Sequence, residues 1–208
     1  MKSFVLAFAL LALTPKVSLA HPVIYQGGSV YWGTFTPQVN IQRLSYSVTP
    51  KLAVEAHSNR FKSIDNYQDY QLGLNVLIKK WLNVDSQANI YVGAYAGYYK
   101  NEISNGFTYQ GMLMGDWESR SLYTAASIDS YISEDDIKLR YTHRVGVAPY
   151  KAEMGELQSW LVLKLDYFKA MDDRVMVTPM LRFFYNNVLW EIGSSIQGDF
   201  FLTLMVHY

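Results

Sequence analysis

The last nine residues of the chain, FFLTLMVHY (Phe200–Tyr208), alternate without a break. Phe200, Leu202, Leu204, Val206 and Tyr208 fall on one face of an extended backbone, and Phe201, Thr203, Met205 and His207 fall on the other. Period two sustained over this length reads as a β-strand. A terminal stretch this apolar is expected to be paired, buried or in contact with something other than water, because an unheld terminus frays.

The same alternation runs inward along the chain. In YQLGLNVLI (Tyr70–Ile78), Tyr70, Leu72, Leu74, Val76 and Ile78 share a face opposite Gln71, Gly73 and Asn75. Ile137–Val147 and Leu157–Tyr167 repeat the pattern with Lys138, Arg140, Arg144, Lys164 and Asp166 on the second face. Turn residues punctuate these stretches at Thr49-Pro50-Lys51, Lys100–Gly106, Pro149–Glu156 and Asn186-Asn187, where Pro, Gly and Asn favour reversal of the chain. Twelve strand segments result, beginning near residues 23, 38, 52, 69, 87, 107, 121, 137, 157, 174, 188 and 199. The count falls to ten if the Gly-rich GGSVYWG or another weak segment is not a strand. No helical periodicity and no shift in composition interrupts residues 21–208, so they read as one domain.

At the other end, Met1-Lys2 supplies a charge, Phe4–Leu13 is an apolar run, and Ser18-Leu19-Ala20 offers small residues for cleavage. Residues 1–20 are therefore expected to be a secretory signal peptide, too short to span a bilayer. The chain should be exported, and no other run of 18 apolar residues makes it a helical membrane protein. It has no Cys, which excludes disulfide stapling and thiolate chemistry. With 18 basic and 18 acidic side chains, nothing points to nucleic acid.

A soluble sandwich would also alternate, but its strands are commonly about five or six residues long, whereas nine to eleven suit a tilted bilayer crossing. The apolar faces also end in aromatics such as Trp81, Tyr98, Trp117, Tyr167 and Tyr185, as the girdles of membrane barrels do. Closure pairs every backbone group, which lipid demands. In this setting Phe200, Leu202, Leu204, Val206 and Tyr208 resemble the C-terminal sorting signal of Gram-negative outer-membrane β-barrels. The resemblance implies an all-β, up-and-down antiparallel transmembrane barrel in the cell outer membrane. It also implies recognition by the barrel-assembly machinery and periplasmic chaperones, and contact with outer-membrane lipids and lipopolysaccharide. Twelve strands in a chain of this length leave only short loops.

Alternation places Glu55, Asp116, Glu118, Asp129, Asp166 and Glu191 on the inner wall, with Lys79, Lys138, Arg140, Arg144, Lys164 and Arg182. Charges in a barrel wall belong inside or at the interfaces, since Arg or Lys facing lipid at mid-depth costs about 2–4 kcal/mol. The wall reads either as a narrow polar pore or as a salt-bridge network that closes its own lumen. Arg140 and Arg144 are expected to meet Asp116, Glu118 or Asp129, with Asp129 nearest in strand order. The four histidines, His21, His57, His143 and His207, form no catalytic motif. The expected function is thus a structural or narrow-channel barrel with no catalytic site, cofactor or metal. The alternatives are an enzyme modifying lipid or lipopolysaccharide from a polar residue near the rim, and a copper-handling barrel. The last would use Met112 and Met114 with Met176 and Met180, thioethers being soft ligands.

Overall fold

The computed structural model describes residues 22–133, 136–153 and 155–208; the expected signal peptide lies outside them. The strands are β1 (Ser29–Phe35), β2 (Val39–Thr49), β3 (Leu52–Phe61), β4 (Tyr67–Leu82), β5 (Ser86–Lys100) and β6 (Asn105–Ser119). They continue as β7 (Leu122–Ser133), β8 (Asp136–Val147), β9 (Gln158–Phe168), β10 (Asp172–Tyr185), β11 (Val188–Ser194) and β12 (Phe200–His207). Each pairs antiparallel with its sequence neighbours, and β1 pairs with β12, so the sheet closes into a barrel with no free edge. All twelve expected segments are present. Both ends of the described chain emerge at one rim, called here the terminal rim, because an even number of strands returns the chain to its starting side.

The usual order of apolar core and polar surface is inverted. Leu72 is 68% exposed on the outer face, whereas Asn59, Asp69 and Glu191 are fully buried on the inner one. The outer belt is flanked by Tyr46, Trp81, Trp117 and Tyr185 toward the terminal rim and by Tyr70, Tyr98, Phe107 and Tyr109 toward the far rim. An apolar band between two aromatic girdles is the exterior a bilayer requires. No helix of the described residues is long and apolar enough to cross a membrane; the strands make the crossing.

Two local departures from the sequence reading matter inside. The first strand begins at Ser29 rather than near residue 23. The preceding residues reverse at Gly27, whose φ of 82° only glycine adopts without strain, and run into the barrel. In β4, the ladder slips at Ile78: Leu77 faces Tyr91 while Lys79 faces Ile90. A bulge adds one residue and swaps the faces beyond it. Lys79 is consequently on the outer face near the terminal rim, its ammonium 5.8 Å from the Trp81 ring centre, and not in the lumen. Lys80, facing Asn89, takes the inward position.

The closing seam shows what holds FFLTLMVHY. Its inward residues Phe201, Thr203, Met205 and His207 are all buried, and Phe200 and Tyr208 are exposed on the outer side. Pairing runs from Phe35↔Leu202 to Val30↔His207. Beyond it the Tyr208 amide donates to Ser29 O at 2.8 Å, the Ser29 amide donates to Tyr208 O at 3.0 Å, and the Tyr25 hydroxyl adds a bond to Tyr208 O at 2.9 Å. Deleting Tyr208 removes all three. The expected result is a marked fall in heat-modifiable, membrane-inserted barrel with export intact; wild-type amounts would show that the seam does not need this pair.

Candidate functional site

The inner wall is divided by charge. On β3–β5 the Glu55 carboxylate accepts from the Tyr95 hydroxyl at 2.8 Å and Asn75 Nδ2 at 3.3 Å, and shares a 3.0 Å hydrogen bond with His57 Nε2. The Tyr95 ring can lie flat across the wall because position 73 is glycine: a Cβ there would stand 2.5 Å from the ring and 2.1 Å from Ala94 O. Next to this group, Asp69 accepts from Asn59 at 2.9 Å and from Gln71 at 3.0 Å. Asp116 accepts from Asn89 at 2.7 Å, and Glu118 from Gln87. This half of the wall is acidic, and these carboxylates are held mainly by neutral amides and hydroxyls.

The half formed by β8–β11 is basic and tightly ion-paired. Arg140 grips Asp166 with two parallel bonds, Nε to Oδ1 at 2.9 Å and Nη2 to Oδ2 at 2.6 Å, and Lys164 adds a third to Oδ2 at 2.7 Å. Glu191 lies between two arginines, accepting from Arg182 Nε at 2.8 Å and from Arg144 Nη1 at 3.2 Å. The forked guanidinium matches a carboxylate in both directions, which fixes geometry as well as charge. Arg182 also stacks over Tyr123 at 4.0 Å, and Lys164 stands 4.6 Å from the Phe201 ring centre.

These partners correct the sequence expectation. Arg140 and Arg144 do not pair with Asp129, Asp116 or Glu118, although Asp129 is the register partner of Arg140 across β7–β8. Arg140 reaches instead to the next strand, one diagonal step from its partner Phe168 to Asp166, within the span of a long side chain. Asp129 is occupied by Gln110 at 3.1 Å and Ser127 at 3.4 Å, and its cation is Arg43, at 3.5 Å. Lys138 is inward at the far rim, beside Phe61, Tyr131 and Phe168. Sequence reasoning missed Arg43 and Asp69. Arg43 shares its face with Val39, Ile41, Ser45 and Ser47, opposite the outward Leu44 and Tyr46, so the alternation carried the signal. Asp69 stands at the expected start of its strand, on the face shared by Gln71 and Asn75, so the alternation extended by one residue carried that signal too.

The lumen is far from empty. Toward the far rim, Phe61, Tyr131 and Phe168 pack with ring centres 5.4–5.6 Å apart. Three cavities of about 300, 80 and 40 Å³ run from the terminal rim through mid-lumen to the far rim. The first two share Trp32, Met114, Tyr123 and Arg144; the second and third share Thr34, Arg140 and Lys164. Together they pass Arg140, Arg144, Lys164 and Arg182 of the basic half, with Asp116 and Glu118 of the acidic half lining the first. The two outer cavities are balanced, with Arg120, Arg144 and Arg182 against Asp85, Asp116 and Glu118 at one end. Arg140, Lys164 and Arg174 meet Asp166, Asp172 and Asp199 at the other. The middle one is not balanced: Arg43, Arg140, Arg144 and Lys164 face a single carboxylate, Asp129.

The residues considered for catalysis and copper are dispersed. His57 is buried against Tyr95, at 3.9 Å between ring centres. His143 is exposed on the outer face, where its Nε2 lies 3.1 Å from Thr124 Oγ1. His207 is buried at the seam. Met112 packs with Tyr91 and Tyr95, while Met180 packs with Trp160, Val162 and Phe201, so the two methionine pairs occupy different clusters.

No protein-family model matches the chain, and no curated protein sequence does. Among solved structures the barrel is similar to the KdgM porin, with a TM-score of 0.51 at 12% identity over 87% of this chain and 98% of the porin. It is equally similar to KdgM porin in complex with disordered oligogalacturonate, with a TM-score of 0.50 and the same identity and coverage. At this identity the likeness establishes the fold, a closed twelve-stranded barrel of porin type.

Proposed function

We propose that this barrel is a narrow outer-membrane channel, its terminal rim on the periplasmic side, that favours small anionic solutes. The observation that carries the reading is the mid-lumen cavity, where four cations face one carboxylate between the two charge-balanced end cavities. A pore selects by the sign of the charges at its constriction, and low-dielectric walls concentrate that field. The ion pairs hold the cations in place and offset part of their charge, but neither Glu191 nor Asp166 lines the middle cavity, where Asp129 is the one carboxylate among the lining residues. The network is thus both a brace for the wall and the source of the path's sign. The similar porin is described in complex with oligogalacturonate, an acidic oligosaccharide, which makes an acidic sugar the first solute to test.

Liposome swelling with purified protein compares galacturonate with galactose, which is of similar size and uncharged. Faster entry of the acid is expected. Equal or faster entry of the neutral sugar would contradict an anion path, and entry of neither would leave a structural barrel whose network closes the lumen.

A further inference from the structure

Residues 22–26 do not extend β1 along the wall, although Gly27 and Gly28 still bond to the Ser47 main chain of β2. They fold back at Gly27 and Gly28, where a Cβ on Gly28 would stand 2.5 Å from Ile24 Cδ1. The segment is pinned to the inner face of β2: the Ser45 hydroxyl donates to Pro22 O at 3.0 Å, the Ile24 amide donates to Ser47 Oγ at 3.0 Å, and the Gly27 amide donates to Ser47 O at 2.8 Å. Val23 is 5% exposed and packs on Ala53, Leu77, Tyr91 and Tyr95, the inner faces of β3–β5. The next residue, Ile24, packs on Val30, Leu189 and Met205, from β1, β11 and β12. Two adjacent side chains thus pack on the walls to either side of β2.

We infer that residues 22–24 form a fixed inner strap over the β3–β5 wall that carries Glu55, so that this part of the lumen does not conduct. The inference rests on the anion-channel reading above. None of the three cavities is lined by Glu55, His57, Asp69, Gln71 or Asn75. Glu55 and Asn75 lie beside Ala53 and Leu77 on these strands, and Tyr95, a member of the same apolar cluster as Val23, holds Glu55. An unsealed β3–β5 wall would offer cations a path lined by carboxylates, and selectivity follows the sign of the wall that conducts. The strap is therefore a specificity element supplied by main chain and two apolar side chains.

The test is planar-bilayer recording of the full-length protein, exported and purified, for wild type and Val23→Asp. An aspartate in the apolar niche beside Glu55 should expel the strap. Single-channel conductance should rise about twofold as both walls become available, and the chloride-over-potassium preference should fall. Position 23 is near the expected processing site, so Ser45→Ala/Ser47→Ala, which removes two anchors from the wall side, serves as a second variant. Unchanged conductance in both variants would overturn the strap. Higher conductance with an undiminished chloride preference would overturn its role in selectivity. A wild-type barrel without chloride preference would instead contradict the channel reading, while the conductance step between variants still reports whether the strap fills the lumen.

Discussion

Glu191→Ala should be the most damaging single substitution in the lumen. The carboxylate is fully buried and is shared by Arg144 and Arg182. Its removal leaves two guanidinium groups in a confined wall without the carboxylate they share. Removing one member of a buried ion pair costs about 3–5 kcal/mol, most of it the desolvation of the group left behind. Urea unfolding of the barrel in detergent should show a loss of this order. The control is the triple replacement Arg144→Met/Arg182→Met/Glu191→Leu, which removes the whole cluster. Apolar substitutes for a buried triad are often neutral or stabilising, so the triple variant should recover much of the loss. An unchanged midpoint for Glu191→Ala would mean that water in the lumen screens the arginines.

The second large effect concerns selectivity. Arg43→Glu turns the mid-lumen balance from four cations against one carboxylate into three against two, starting from the lining residues present. Arg43 has a single long ion pair to Asp129 at 3.5 Å and contacts Met112 Sδ at 3.6 Å, so its loss disturbs the wall less than loss of Arg140 or Arg144. Two unit charges 4 Å apart interact by about 1 kcal/mol in water, and by more in a confined pore. Reversing one charge therefore corresponds to roughly a tenfold change in the anion-to-cation preference. The zero-current potential across a potassium chloride gradient measures it directly. A potential equal to that of the wild type would show that the middle cavity is not where ions are selected.

The architecture was legible because a barrel repeats one rule. Every strand alternates, and lipid penalises any polar residue on the wrong face, so the faces of Ile137–Val147, Leu157–Tyr167 and Phe200–Tyr208 follow from residue type alone. Eleven of the twelve lumen charges inferred from alternation keep their inward direction; Lys79 does not. The bulge that displaces it sits at Ile78, in a run of apolar and basic residues that fits either register. Ion-pair partners were less legible, because the reach of Arg140 to Asp166 depends on a diagonal across β8–β9 and on Asp129 being held already by Gln110 and Ser127. Residues 22–28 were the hardest to place. Val23 and Ile24 have the composition of a strand, and only the φ of Gly27, together with Ser45 and Ser47 on the inner face of β2, turns them into the lumen.

The central claim is that a twelve-stranded barrel leaves a path whose mid-lumen cavity is basic. Single-channel recording of the wild-type protein under a tenfold potassium chloride gradient tests it most directly. The account predicts small, discrete conductance steps with a zero-current potential of the sign set by chloride, reduced when galacturonate is added. Cation-preferring steps, or a silent bilayer in the presence of folded, heat-modifiable protein, would contradict it.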